Sequence, residues 1–130
     1  MVKRTNCLIC NFNKKRNVRV KSDHWVVGIA IDLNIKGLYF IKSKRHVEHL
    51  GELTEKEAKE VGGIIKLFSK ISQEKAGAQR IIAMSLGFSE PHVHFWIIPV
   101  NNQTEKDLLK ISKVVKDFVR KNKKNLRSND

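Results

Sequence analysis

The run Pro91-His92-Val93-His94-Phe95-Trp96-Ile97-Ile98-Pro99-Val100 restricts the fold more than any other stretch of this chain. Its period-two alternation, filled by β-branched and aromatic residues, is the pattern of a strand with two unlike faces. Successive side chains on a strand point to opposite sides of the sheet. His92, His94 and Trp96 are therefore expected on one face, about 6–7 Å apart in succession. Val93, Phe95 and Ile97 then face the other way, into a core. Such a strand needs neighbours to pair with and an apolar element to cover its buried face.

The sequence supplies both. Apolar runs predict further strands at Trp25–Asp32 (WVVGIAID), Gly37–Lys42 (GLYFIK) and Arg80–Leu86 (RIIAMSL), beside Val93–Val100. Asn34 to Gly37 reads as a turn, which makes the first two an antiparallel hairpin. Thr54 and Glu57 have the spacing of a helix capping box, and Val61, Ile64, Ile65, Phe68 and Ile71 form one apolar stripe after it, with Gly77 as the stop. Thr104 and Asp107 open a second such pattern, with Leu108, Ile111, Val115 and Phe118 on one face. The order predicts an α+β domain: a mainly antiparallel sheet, one helix between strand pairs and a C-terminal helix. Residues 1–120 form this single domain, and 121–130 are expected to be a frayed basic tail.

A chain of 130 residues suits one compact domain that needs no disulfide scaffold. No apolar run approaches the ~20 residues of a membrane span, no signal-peptide pattern follows the basic N-terminus, and no repeat or low-complexity tract is present. A cytoplasmic protein is expected. The net charge of +13 comes from the ends: residues 1–21 carry seven Lys/Arg and no acid, 106–130 carry nine against three acids, and 22–105 hold ten of each sign. Basic ends of this kind suit a nucleic acid or other polyanion. They equally suit a lysine-rich solvated surface.

Two constellations have chemistry in them. Two imidazoles on one strand face suit ligand or catalytic work, and suit ordinary buried or surface histidines as well. Cys7-Leu8-Ile9-Cys10 lets both sulfurs reach one tetrahedral metal ion, with Lys3, Arg4 and Lys14 nearby to favour thiolates. The spacing also belongs to redox pairs, although those usually open a helix after a strand. Two unrelated buried cysteines are a further reading. Zinc needs two more ligands, for which His92 and either His46 or His49 are available. His24 and His49 otherwise read as surface or satisfied histidines.

His92-Val93-His94-Phe95-Trp96-Ile97-Ile98-Pro99 resembles the signature strand of the histidine-triad nucleotide-binding proteins, in which three histidines alternate with apolar residues. Cys7-x-x-Cys10, the hairpin end Ser43-Lys44-Arg45-His46-Val47-Glu48 and the helix start Leu53-Thr54-Glu55-Lys56-Glu57 resemble family segments in the same order, so the likeness spans approximately residues 5–100. The resemblance implies a homodimer that binds a purine nucleotide. It makes His94 the nucleophile on the α-phosphorus, through a covalent nucleotidyl-histidine. It also implies a structural zinc held by Cys7, Cys10, His46 and His92, a ribose-binding acid at Asp32, and a phosphate-contacting serine at Ser89.

The chain departs from the pattern at three polar positions. Trp96 replaces the third histidine, and an indole has one donor, no acceptor and no proton to shuttle near neutrality. It retains the ability to donate Nε1–H to a phosphate or to stack on a ring. Phe88 stands where a glutamine is common, and Val100 where an arginine is frequent. Three functions are therefore carried forward. The first is a hydrolase or nucleotidyl transferase acting on a nucleoside 5′-phosphate derivative, such as a dinucleoside polyphosphate or phosphoramidate. The second is a non-catalytic zinc module that binds nucleotide or nucleic acid, and the third an enzyme that removes a nucleotide from a nucleic-acid end.

Overall fold

The structure is a computed structural model that describes residues 7–12, 15–85 and 91–101, with scattered positions between 106 and 120. Five strands form one sheet: β1 (Val18–Lys21), β2 (Trp25–Gly28), β3 (Tyr39–Ser43), β4 (Arg80–Met84) and β5 (His94–Val100). Their order is β1-β2-β3-β5-β4, and every neighbouring pair is antiparallel. One long helix, α1 (Glu55–Ala76), links β3 to β4 and covers one face of the sheet. This is the α+β architecture expected from the order of apolar runs.

Helix α1 forms where the capping residues stand. The Glu57 N–H donates to Thr54 Oγ1 at 3.1 Å, and the Thr54 N–H donates to Glu57 Oε1 at 2.8 Å. The helix lays Val61 and Phe68 on a core built of Trp25, Val27, Tyr39, Ile41, Val93 and Ile97, with Ile64, Ile65, Ile71 and Phe95 packed against it. Val93, Phe95 and Ile97 thus face inward, as the alternation requires. At its start the Trp25 Nε1–H donates to the carbonyl of Glu57 at 3.0 Å. A buried indole tied to a helix terminus orients the helix on β2.

Three details differ from the sequence reading. Val18–Lys21 is an additional edge strand; its arginine and lysine hid the alternation of Val18 and Val20, yet such residues are common on edges because they deter further pairing. The run Trp25–Asp32 does not continue as a strand past Gly28. There the Ile29 N–H donates to the carbonyl of Asn17 at 2.8 Å, and Asn17 Nδ2 returns a bond to the carbonyl of Ile29 at 2.9 Å. The chain then turns through a 3₁₀ segment, Ile31–Leu33, so Asp32 sits on a turn and not at a strand end. Finally, His92 lies in a bend just before β5.

The predicted turn residues are real. Asn34 has φ 51° and Gly37 φ 86°, and Gly37 also leaves room for Ser72 and Ala76 of α1. The predicted end of the run Arg80–Leu86 lies outside the described residues, as do the proposed second-helix positions Thr104, Asp107, Leu108, Ile111, Val115 and Phe118 and the tail 121–130. Every described position between 106 and 120 is helical. Among the described residues no helix is long and apolar enough to cross a membrane.

The face of the sheet away from α1 carries the histidines. Phe40 is the register partner of Trp96, and Lys42 that of His94. The Phe40 ring lies 4.9 Å from Trp96 and 5.3 Å from His94, centroid to centroid. Residues 7–12 run over this face, placing Phe12 edge-on to Phe40 at 5.0 Å.

Candidate functional site

Cys7–Cys10 is a tight knuckle. The Asn11 N–H donates to the carbonyl of Cys7 and the Phe12 N–H to that of Ile9, each at 3.1 Å. The Cys10 N–H points at Cys7 Sγ, 3.3 Å away. Backbone bonds bring the other two residues underneath: the Ser43 N–H donates to Val93 O at 3.2 Å, and the Val93 N–H to Val47 O at 2.7 Å. The loop carrying His46 is thereby stitched to the approach of β5, which carries His92.

Cys7, Cys10, His46 and His92 come together with their ligand atoms all within 4.8 Å of one another. His92 Nδ1 is 3.4 Å from each sulfur, and His46 Nδ1 is 3.2 Å from Cys10 Sγ. Sulfur and nitrogen ligands of a tetrahedral zinc are separated by about 3.5 Å, so these three sulfur–nitrogen distances agree with such a site to within a few tenths of an ångström. The tautomers fit as well. His92 Nε2 is 2.8 Å from the carbonyl of Ser43, and His46 Nε2 is 3.1 Å from Glu48 Oε2. Both partners only accept, so each Nε2 carries the proton and each Nδ1 turns its lone pair toward the sulfurs. Of the two rivals, His46 joins the cluster; His49 instead starts a 3₁₀ turn over Leu50–Glu52.

Burial acts on the protonation of His92 and Cys7. It pushes the fully buried His92 imidazole down to about 4, with the hydrogen bond to Ser43 acting in the opposite direction, so the ring is neutral at ordinary pH. Burial pushes the Cys7 thiol up; Lys3, Arg4 and Lys14, expected to favour the thiolate, lie outside the described residues. A metal bound here displaces thiol protons, which makes its affinity pH-dependent.

His94 neighbours this cluster on the same face. Its Nδ1 lies 2.6 Å from the carbonyl of His92, which fixes the proton on Nδ1 and the lone pair of the neutral ring on Nε2. The residue is only 4% exposed. Trp96 packs with Leu38 and Ile98 in a small second cluster. Ile31 and Asn34, which flank Asp32, line a cavity of about 750 Å³ with Arg19, Lys36, Tyr39 and Lys75; His94 is not among the residues lining it. Ser89 and Phe88 lie outside the described residues. His24 differs from the expected surface or satisfied histidine: it is half-buried, its main-chain N–H donates to Glu60 Oε2 at 2.8 Å, and its Nδ1, 3.3 Å from the same oxygen, makes no hydrogen bond.

Sequence reasoning missed Phe12, Phe40, Lys42 and Glu48. Lys42 was detectable as a cation that closes the apolar run Gly37–Lys42, and Glu48 as an acid two residues beyond a candidate ligand.

No family model and no curated protein matches this sequence. Solved structures do match the fold. A HIT family protein from Bacillus subtilis superposes with a TM-score of 0.66 at 18% identity, covering 86% of this chain and 96% of its own. A histidine triad protein from Clostridium difficile gives 0.56 at 19% identity, covering 78% and 96%. A HIT family hydrolase from Legionella pneumophila gives 0.55 at 15% identity, covering 75% and 93%. The chain has the fold of the histidine-triad proteins, the class that its signature strand resembles.

Proposed function

We propose that this chain is a zinc-stabilised histidine-triad phosphohydrolase or nucleotidyl transferase acting on a nucleoside 5′-phosphate derivative. The observation that carries the reading is the His94 Nδ1 contact with the His92 carbonyl, because it leaves Nε2 as the nucleophilic nitrogen. Nε2 attacks the α-phosphorus, an N–P bond forms, and the P–O or P–N bond to the leaving group breaks. Water then attacks the same phosphorus, cleaves the N–P bond and releases the nucleotide with the ring restored. Ser89 and the Trp96 Nε1–H are assigned to the phosphate oxygens, where donors are worth most as charge shifts, and Asp32 to the ribose of a purine nucleotide.

Zinc held by Cys7, Cys10, His46 and His92 would have all four positions filled by protein. Such an ion would offer no open site for substrate, and its role in this reading would be to pin the N-terminal knuckle to the strand that carries His94. The reading carries with it a homodimer and a cytoplasmic location, where cysteines stay reduced.

A second reading, a metal-stabilised module that binds nucleotide or nucleic acid without turnover, is favoured by the apolar setting of Trp96 and the low exposure of His94. One experiment separates the two. Incubated with a labelled adenosine phosphoramidate, the wild-type chain is expected to acquire an acid-labile label and to release AMP, while His94→Ala does neither. Saturable nucleotide binding without label or product assigns the module instead. Nucleic-acid ends enter only if oligonucleotide affinity falls steeply between about 50 and 200 mM salt.

A further inference from the structure

Lys42 is 5% exposed and follows the apolar residues Tyr39, Phe40 and Ile41 in a strand that ends at Ser43. Its Nζ donates to the carbonyl of Ile9 at 2.7 Å and reaches that of Cys10 at 3.4 Å. Both carbonyls belong to the cysteine knuckle, and the Ile9 carbonyl also accepts the Phe12 N–H that closes it. Burying an ammonium is unfavourable unless its protons find good acceptors. The arrangement therefore holds only while the knuckle presents these carbonyls to β3.

We infer that Lys42 is a positioning residue for the metal centre: its ammonium clasps the knuckle to the sheet with both sulfurs already turned toward His46 and His92. The inference rests on the metal reading given above. Its physical basis is preorganisation. Without the clasp, zinc must itself order residues 7–12 on the sheet, and that ordering entropy is subtracted from the observed affinity. Because Phe12 of the same segment packs on Phe40, and Phe40 on His94, the clasp also holds the covering of the histidine face. A methionine at 42 fills similar volume and offers the carbonyls nothing, whereas arginine keeps both the charge and several donors.

The test measures zinc affinity by competition with a chromophoric chelator, together with the visible absorption of the Co²⁺ form and the melting temperature of the metal-free chain. Wild type is expected to bind one ion per chain with the intense spectrum of tetrahedral thiolate-bound Co²⁺. K42M is expected to bind zinc about 10–100-fold more weakly, with the metal-free melting temperature unchanged, and K42R to recover most of that loss. A K42M affinity equal to wild type overturns the role of Lys42 and leaves the metal reading intact. A wild-type chain that binds neither ion overturns the metal reading and the clasp with it. If K42M fails to fold, K42Q against K42R decides: weaker binding by the glutamine variant supports the clasp, and equal binding overturns it.

Discussion

His46 and His92 present Nδ1 to the cysteine sulfurs because each Nε2–H is already donated, one to the Glu48 carboxylate and one to the Ser43 carbonyl. The outer partners choose the tautomer, so in the neutral rings the inner nitrogens carry the lone pairs. Cys7→Ser removes a soft ligand and leaves a hydroxyl that does not ionise near neutrality. Elemental analysis of the purified variant should find the zinc content reduced from about one per chain to near zero; an undiminished content refutes the assignment. The sequence named all four residues of the cluster and left only His46 against His49 open. It missed Glu48 and Lys42 because neither belongs to a repeating pattern: one acts through a turn of the chain, the other across the whole face of a sheet.

Among the elements, the junction of β3 with α1 depends on one buried carboxylate. Glu57 closes the capping box and also accepts from Arg45, through Nη2 at 2.8 Å and Nε at 3.2 Å. The Arg45 bond holds the Glu57 carboxyl below the ordinary glutamate range, against the opposing effect of burial. A folded-state value lowered in this way contributes stability that is fully present above the ordinary value of about 4.3 and is lost as the pH falls through the lowered one. Glu57→Gln should cost about 1–2 kcal/mol in denaturant melts at pH 7, because the partner Arg45 is partly screened by solvent. The gap between wild type and variant should close on acidification below about pH 4, and a gap independent of pH disproves the linkage. A different constraint acts at the end of β2. A Cβ on Gly28 would stand 2.7 Å from the carbonyl oxygen of Asn17, a main-chain atom with little freedom to move. Gly28→Ala is expected to destabilise the chain by about 1–3 kcal/mol, read as a lower denaturation midpoint, and an unchanged midpoint contradicts the close approach.

At the scale of the molecule, the proposed metal ties the knuckle at 7–10 to the loop after β3 and the approach to β5, two segments that backbone hydrogen bonds already join. A ligand that binds only the folded state stabilises it by mass action, about 4 kcal/mol when its free concentration is a thousand times Kd. Stripping the ion with a chelator should accordingly lower the melting temperature by roughly 10–20 °C, reversibly on adding zinc back, whereas a melting temperature indifferent to chelator excludes a metal that staples the fold. Periodicity and capping determined the α+β class, the helix that covers the sheet, the antiparallel pairing of Trp25–Gly28 with Tyr39–Ser43 and the inward turn of Val93, Phe95 and Ile97, because each is a local regularity of apolar side chains. Tertiary structure decided the rest. The edge strand Val18–Lys21 is a strand because β2 lies beside it, Asp32 leaves the sheet because Asn17 takes the main chain of Ile29, and Lys42 is buried because a knuckle more than thirty residues away turns two carbonyls toward it. These are contacts between residues distant in sequence, whose free energies exist only once the chain has brought them together.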